Sequence, residues 1–194
     1  MTTDREIRAA LHQKRLKRLH ASPDTIVIDE LGLAHANVIV DIAVINGTLD
    51  GFEIKSAQDS LARLPKQLMV YERCLERLTI VCDVRHAAAV KRMAPAWAGI
   101  LQVEKGPRGA VRFRSVRPAL RNPNVRPELL AHLLWRPEAI ALLTQLDVAG
   151  AELRRPRKAL YEHIAQKMTT AEITASIRSF MKVRQAWRSR SAHT

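Results

Sequence analysis

The segment that most constrains the fold is residues 41–55, with the sequence DIAVINGTLDGFEIK. Two apolar runs flank an Asn-Gly dipeptide, which is a strong signal for a β-hairpin because both residues tolerate a positive φ. On the second strand, Glu53 and Lys55 are two residues apart and therefore project from the same face. With Asp41 near the start of the first run, the hairpin offers two carboxylates and an amine. It is therefore a candidate Mg²⁺ site.

The length of the hairpin loop decides whether the two acids meet. With a strict two-residue turn, Asp41 would stand opposite Phe52 and would face away from Glu53. A three-residue loop, or a bulge at Asp50-Gly51, would bring the two acids to one face, so we predict such an irregularity. The alternative for Asp41 is an ordinary role at a strand end, where it pairs with an arginine or caps a loop.

The flanking sequence predicts an α/β core at residues 1–117 and a basic helical region at residues 118–194. A capping-box pattern at Thr3 and Glu6 predicts an amphipathic helix to about residue 20. The main helix of the core starts near Pro65 and carries Gln67 and Tyr71 four residues apart on one face. Strands are predicted at residues 25–28, 37–45, 78–83, 99–103 and 110–116. Helices of the C-terminal region are predicted at residues 128–135, 137–146, 156–168 and from 170 to about 187.

The net charge of +13 is unevenly distributed along the chain. Residues 1–100 carry 14 Lys and Arg against 12 Asp and Glu, whereas residues 101–194 carry 18 against 7. This asymmetry indicates a polyanionic partner, most simply DNA, that contacts the C-terminal half. The alternative is a solvated, arginine-rich surface with no such partner. The candidate nucleic-acid contacts are Arg154, Arg155, Arg157, Lys158, Arg184 and Arg188.

Several classes of protein are excluded by the distribution of apolar residues and cysteines. No apolar run approaches the roughly 18 residues that a membrane helix needs, and the first residues lack the apolar segment of a signal peptide. Cys74 and Cys82 fall inside apolar segments without metal-ligand spacing, which predicts buried thiols in a reducing compartment. We therefore expect a cytoplasmic protein without a membrane span.

The order of these motifs resembles a known superfamily. Asp41, the hairpin, Glu53-Ile54-Lys55, and then a helix with Gln67-x-x-x-Tyr71 resemble the PD-(D/E)XK nuclease signature with the additional Gln-x-x-x-Tyr motif of its RecB-like branches. The wider segment, residues 29–71, also resembles a family of small bacterial proteins placed in that superfamily, and the resemblance as a whole covers about residues 25–83. Val40 stands where the motif's name has proline, a position that varies widely among these nucleases.

The resemblance implies a restriction-endonuclease-like fold, with a mixed central sheet flanked by helices, and metal-dependent hydrolysis of DNA. By analogy, Mg²⁺, or Mn²⁺ in its place, is bound by the carboxylates of Asp41 and Glu53 and by the carbonyl of Ile54. Lys55 then orients or deprotonates the attacking water and offsets the developing negative charge.

Further residues receive roles from the same resemblance. Glu30 supplies an outer or second-metal carboxylate, with Glu6 as its competitor for that role. Gln67 and Tyr71 position the site or the backbone of the nucleic acid. The residues themselves leave open that Gln67 and Tyr71 are a surface pair and that Glu30 is a loop acid.

Two other classes of function stay open at this point. The same fold can serve as a DNA-binding module with weak or no hydrolysis. Alternatively, the chain is an accessory protein whose C-terminal helices dock a partner or a second copy. A large exposed apolar patch on those helices would favour the accessory role.

Overall fold

A computed structural model describes residues 1–191, with side chains for residues 1–185. It contains one six-stranded sheet in the order β1 to β6, with helices on both faces and a helical region after the last strand. The predicted class, a mixed central sheet flanked by helices with a helical C-terminal extension, is therefore confirmed. The strands are β1 Ile26–Leu33, β2 Val38–Ile45, β3 Leu49–Lys55, β4 Arg77–Asp83, β5 Gly99–Lys105 and β6 Val111–Arg117.

Strand direction changes across the sheet. The central strands β3, β4 and β5 are parallel, whereas the outer pairs are antiparallel. Parallel neighbours need a crossover connection, and helices α3 (Leu64–Cys74) and α4 (Ala87–Met93) provide it. Pro65 lies in the first turn of α3, as predicted. This topology places the end of β3 next to the start of α3.

The hairpin between β2 and β3 has the predicted irregularity. Ile45 pairs with Leu49 and Ile42 pairs with Phe52, so the loop is three residues long. Gly47 in this loop has a φ of +115°, a conformation that residues with a side chain rarely adopt. The irregularity lies in the loop itself and not at Asp50-Gly51. Continued by one residue, this register sets Asp41 opposite Glu53.

The N-terminal segment is less regular than predicted. Helix α1 (Asp4–Ala10) begins with the predicted capping box, in which Glu6 N donates to the Thr3 hydroxyl and Thr3 N donates to the Glu6 carboxylate. A π-helical turn (Leu11–Arg15) then separates α1 from α2 (Lys17–His20). A bond from Leu16 N to Leu11 O, 2.9 Å long, closes the wider turn. The predicted single helix is therefore interrupted.

The sheet is covered on both faces, which explains the almost continuous apolar sequence of β2. On one face, Ile42 and Val44 pack against Ile7 and Leu11 from the N-terminal segment. On the other face, Ala43 and Ile45 belong to the cluster that includes α3 and the C-terminal helices. The β2–β3 hairpin is therefore packed on both faces of the sheet.

The C-terminal region shares the core of the sheet. Its helices are α5 Pro127–Ala131, α6 Arg136–Gln145, α7 Arg157–Lys167 and α8 Thr170–Ser191. Leu130, Tyr161, Ile164 and Ile173 are buried in the same cluster as the strands. Residue 117 therefore ends the sheet without ending the hydrophobic core. None of the helices among residues 1–191 is long and apolar enough to span a membrane.

Both cysteines are buried, as the sequence predicts. Burial raises the pKa of the Cys74 thiol to about 11 and that of Cys82 to about 12. Both side chains are therefore neutral thiols near pH 7, which have little nucleophilic character.

Asn122 connects the end of α3 to the C-terminal region and is only 4% exposed. Its Nδ2 donates to the carbonyl oxygens of Glu72 and Leu75, each at 2.7 Å. We expect Asn122→Ala to lower the free energy of unfolding by about 2–3 kcal/mol, because both carbonyls lose a buried donor. Urea denaturation would measure the change. Asn124→Ala, which removes an exposed bond to Glu72, is the control and should cost less than about 1 kcal/mol.

Candidate active site

The sequence-predicted acids and lysine line one cavity of about 390 Å³ beside the end of β3. Glu53 and Lys55 are 2% and 5% exposed, so both charges are held inside the protein. Elements far apart in the sequence contribute the walls. The lining residues are Asp4, Arg8, Glu30, Ile39, Asp41, Glu53, Ile54, Lys55, Asp59, Arg63 and Gln67.

The Glu53 carboxylate is the centre of a hydrogen-bond network. Its Oε1 accepts from Lys55 Nζ at 2.6 Å and from Gln67 Nε2 at 2.7 Å. Its Oε2 accepts from the Tyr71 hydroxyl at 2.5 Å. Because Gln67 and Tyr71 are one helical turn apart on α3, both side chains reach the same carboxylate. Tyr71 is fully buried, so the alternative of a helix-surface pair is wrong.

Asp41 lies where the ladder between β2 and β3 stops. The last backbone pair is Ile42 with Phe52, and the Ile54 N–H donates instead to Asp41 Oδ2 at 2.7 Å. From α1, Arg8 donates to Asp41 Oδ1 at 3.0 Å and to its carbonyl at 2.6 Å. The pairing with an arginine that the sequence left as an alternative is therefore present, and it occurs inside the cavity.

The electrostatic environment of Asp41 is unfavourable for its charge. Burial and the negative charge of Glu53 raise the pKa of Asp41 to about 6. The hydrogen bond from Ile54 and the charge of Arg8 act in the opposite direction but do not cancel the effect. Burial and the charge of Glu53 also raise the pKa of Tyr71, so its hydroxyl keeps its proton and remains a donor. A cation between the two carboxylates would relieve the repulsion.

The donor set suits Mg²⁺ better than Zn²⁺. Within the described part of the chain, no group of three or more His, Cys, Asp and Glu side chains is arranged to hold a metal. Two carboxylates and a main-chain carbonyl are what Mg²⁺ commonly takes from a protein, since water and substrate phosphate complete its octahedron. Structural zinc sites need four protein ligands. The donor types of the residues that line the cavity are therefore those that Mg²⁺ prefers, and its binding here stays a prediction.

Glu30 reaches the rim of the cavity. Its neighbours in β1 pair with β2 in a register that sets Glu30 opposite Asp41. Glu30 itself has a φ of 57°, an uncommon conformation for a residue with a side chain, and it is exposed. Its competitor, Glu6, lies outside this cavity, where it caps α1 and bonds Lys105 at 2.7 Å. The positions favour Glu30 over Glu6 as the outer carboxylate.

Sequence reasoning missed four charged residues of the cavity, namely Asp4, Arg8, Asp59 and Arg63. Arg8 Nε donates to Asp4 Oδ1 at 3.3 Å, and their spacing of four on a capped helix was the available signal. Asp59 accepts from the backbone and hydroxyl of Ser56 at 2.7 and 2.6 Å, which orders the loop after β3.

The C-terminal basic clusters lie apart from this cavity. Arg154, Arg155, Arg157 and Lys158 are exposed near the start of α7, where Arg155 pairs with Glu152 at 2.9 Å. Their exposure is compatible with contact to phosphates and equally with a solvated surface.

Arg184 has a different environment from the other basic candidates. Its guanidinium pairs with Glu138 and lies 4.2 Å from the centre of the Trp135 ring. It is mostly buried, and these contacts connect α8 to α6. Arg184 was predicted to contact nucleic acid, but Glu138 and Trp135 hold its guanidinium in a structural role. The side chain of Arg188 lies outside the described residues.

Similarity to known proteins extends over nearly the whole chain. A family model described as bacteriophage P4 protein cII matches residues 1–193. Protein cII of Enterobacteria phage P4 is 28% identical over 182 residues, which are 93% of this chain and 67% of that protein. A solved structure described as the SPO1766 protein of unknown function from Silicibacter pomeroyi has a TM-score of 0.44 and 15% identity, over 78% of this chain and 97% of that one.

Proposed function

The chain belongs to the bacteriophage P4 protein cII family, and we propose that it is a Mg²⁺-dependent nuclease that hydrolyses phosphodiester bonds of DNA. The observation that supports this proposal is the network on Glu53, which Lys55, Gln67 and Tyr71 bond together beside Asp41. The network unites every motif on which the resemblance to the PD-(D/E)XK superfamily rests. We further propose that the protein acts in the cytoplasm, where bacterial and phage DNA is present.

The cavity offers complementary roles to its acids and bases. Asp41, Glu53 and the Ile54 carbonyl would hold Mg²⁺, which when bound supplies a water of lowered pKa and neutralises charge on a phosphate. Lys55 Nζ donates to Glu53 and to Gln67 Oε1 at 3.1 Å, so one of its three protons remains for a water or a phosphate oxygen. The amine is thereby aimed by two fixed acceptors.

Three cations of the cavity are donors that a phosphate substrate could contact. Arg8 and Arg63 line the cavity together with Lys55. Arginine recognises phosphate oxygens with its planar, forked donors, whereas the five acids of the cavity, Asp4, Glu30, Asp41, Glu53 and Asp59, make it a better site for a cation until a metal neutralises them. Arg8 would have to share its donors between Asp41 and an incoming phosphate. We assign it to substrate positioning.

The proposal is tested by the nicking of supercoiled plasmid with Mg²⁺ or Mn²⁺, and with EDTA as the metal-free control. We expect Glu53→Gln to reduce nicking at least about 100-fold, because it removes the charged metal ligand and replaces the charged acceptor for Lys55 with a neutral amide. Glu104→Gln, an exposed acid at the end of β5, is the matched control and should remain within about twofold of the wild type.

The result distinguishes the proposal from its rivals. Nicking that Glu53→Gln retains at the level of the wild type would contradict the assigned site. If the wild type binds DNA with a steep salt dependence but does not nick it, the chain is a binding module. Absence of both activities would favour the accessory-protein alternative.

A further inference from the structure

Another cavity, with a volume of about 600 Å³, lies between α3 and α5. We propose that this α3–α5 groove binds an unpaired nucleotide of single-stranded DNA beside the cleavage site. The inference rests on the proposed function and deepens it, because it names the form of DNA that the protein takes. It also gives the C-terminal region a role, since α5 forms one wall.

The groove and the active-site cavity lie next to each other. Gln67 of α3 lines the active-site cavity, and its chain neighbour Lys66 lines the groove. Likewise, Ile39 at the start of β2 lines the first cavity, and Asn37 two residues earlier lines the second. A DNA strand that leaves the cleavage site across α3 therefore meets the groove.

On the α3 wall of the groove, two cations flank an apolar surface. Lys66, Met69, Val70 and Arg73 follow the spacing i, i+3, i+4, i+7 and therefore form one stripe on the helix. The two cations are about 10 Å apart along the axis, at a rise of about 1.5 Å per residue. Met69 between them is 62% exposed. This arrangement matches a base on an apolar surface with a phosphate on either side.

The opposite wall carries aromatic rings. His132, which directly follows α5, stacks on His35 with ring centres 4.1 Å apart and an angle of 26°. Burial and the neighbouring His35 lower the pKa of His132, so the ring is neutral near pH 7. Its Nδ1 is buried and has no hydrogen-bond partner among the described residues. His35 itself is exposed, so this wall presents an aromatic ring on which a base can stack.

The loop that holds His35 is strained. Three consecutive residues, Ala34, His35 and Ala36, have φ values of 47°, 60° and 63°. Residues other than glycine rarely adopt this conformation, and strain of this kind concentrates at functional sites. The loop places His35 in the wall of the groove, and no catalytic step of the proposed nuclease uses it.

The charges that line the groove indicate which kind of molecule binds there. None of the residues that line the groove is acidic, whereas Lys66 and Arg73 are cations, so an anionic chain fits better than an uncharged peptide. In a duplex the bases are stacked and paired, so their faces cannot enter an apolar groove. Single-stranded DNA exposes both bases and phosphates, and it is the occupant to which the groove is complementary.

The test measures binding without cleavage. Fluorescence anisotropy in EDTA compares a labelled single strand of about 12 nucleotides with the duplex of the same sequence, a length within the site sizes of single-strand binding proteins. We expect Lys66→Ala/Arg73→Ala to weaken single-strand binding at least about tenfold and duplex binding less than about threefold. Met69→Ser, an exposed and uncharged change, should weaken single-strand binding about threefold because the base loses apolar contact. Arg112→Ala/Arg114→Ala on the edge strand β6 removes the same charge and should leave the preference unchanged.

Each outcome decides between the two proposals. Equal losses in the groove and control double variants would report general charge and would overturn the groove. Wild-type single-strand binding in the groove variants, with plasmid nicking intact, would overturn the groove and leave the nuclease standing. If the groove variants lose single-strand binding and the wild type does not nick plasmid, the result would support the groove and contradict the nuclease. Absence of binding by the wild type would overturn the groove and point to a protein partner.

Discussion

Replacing Lys55 with methionine should lower the free energy of unfolding by about 3–5 kcal/mol, as is usual when a buried ion pair loses one partner. The Lys55 ammonium bonds Glu53 at 2.6 Å, and both side chains are nearly inaccessible to water. In Lys55→Met the Glu53 carboxylate stays buried without a cation at that oxygen. Tyr71 and Gln67 still donate to it but carry no charge. Urea denaturation near neutral pH in EDTA would measure the loss.

The double variant Glu53→Gln/Lys55→Met separates charge from packing. Because it removes both charges, it should recover most of the stability that Lys55→Met loses. Lys91→Met on the exposed surface of α4 is the matched control, with an expected change within about 0.5 kcal/mol. A Lys55→Met protein as stable as the wild type would contradict the assignment of Lys55 as the counter-charge of Glu53.

Stabilisation by a bound metal ion provides a second test of the role of Lys55. Mn²⁺ or Mg²⁺ bound near Glu53 would supply the positive charge that Lys55→Met lacks. Ligands that bind only the folded state stabilise it, so the metal should stabilise Lys55→Met more than the wild type. The single variant would then be catalytically weak but metal-responsive, which a structural role of Lys55 alone does not explain.

The hairpin was predictable because its determinants are local. The Asn-Gly dipeptide sets the turn, and the period of two places Glu53 and Lys55 on one face. The requirement that Asp41 share that face then predicted the extra loop residue, which the register confirms. Gln67 and Tyr71 were predictable for the same reason, since a helix fixes the relation between positions four apart.

Contacts between distant segments were not predictable from these patterns. Arg8 and Asp41 are 33 positions apart, and their pairing depends on how α1 lies on the sheet. Neither the apolar period of α1 nor its capping box specifies that orientation. The positive φ of Glu30 was not predictable either, because Glu30 lies inside β1, a strand that the sequence pattern ended at residue 28.

The basic C-terminal half shows what composition alone leaves undecided. A count of charges cannot tell a cation that is free for phosphate from one that a neighbouring acid already pairs. Arg184 belongs to the second kind, since Glu138 and Trp135 hold it. Lys66 and Arg73 lie in the half whose net charge is near zero, yet they line the groove. The local arrangement of cations, and not their number, marks the proposed contact with DNA.

Asp41→Asn should remove a pH dependence of stability between about pH 4 and pH 7. The folded pKa of Asp41 is about 6, above its ordinary value of 3.8, so its ionisation opposes folding. The wild type therefore has the full contribution of neutral Asp41 below about pH 4 and loses it as the pH rises through about 6. At about 1.36 kcal/mol per pKa unit, the loss is about 2–3 kcal/mol. Urea denaturation at intervals across this range would measure the slope, which Asp41→Asn should flatten.

The two proteins are compared by their slopes, because the amide of Asp41→Asn must turn its N–H group toward one of two donors, Arg8 or the Ile54 N–H, and so loses some stability at every pH. Asp24→Asn, at a position 78% exposed, is the control and should leave the slope unchanged. Equal slopes in the wild type and Asp41→Asn would contradict the raised pKa. Mg²⁺ should flatten the wild-type slope as well, since a cation beside Asp41 favours its charged form. The instability of the metal-free carboxylate would then be the source of metal affinity, because binding relieves the repulsion between Asp41 and Glu53 that folding alone leaves in place.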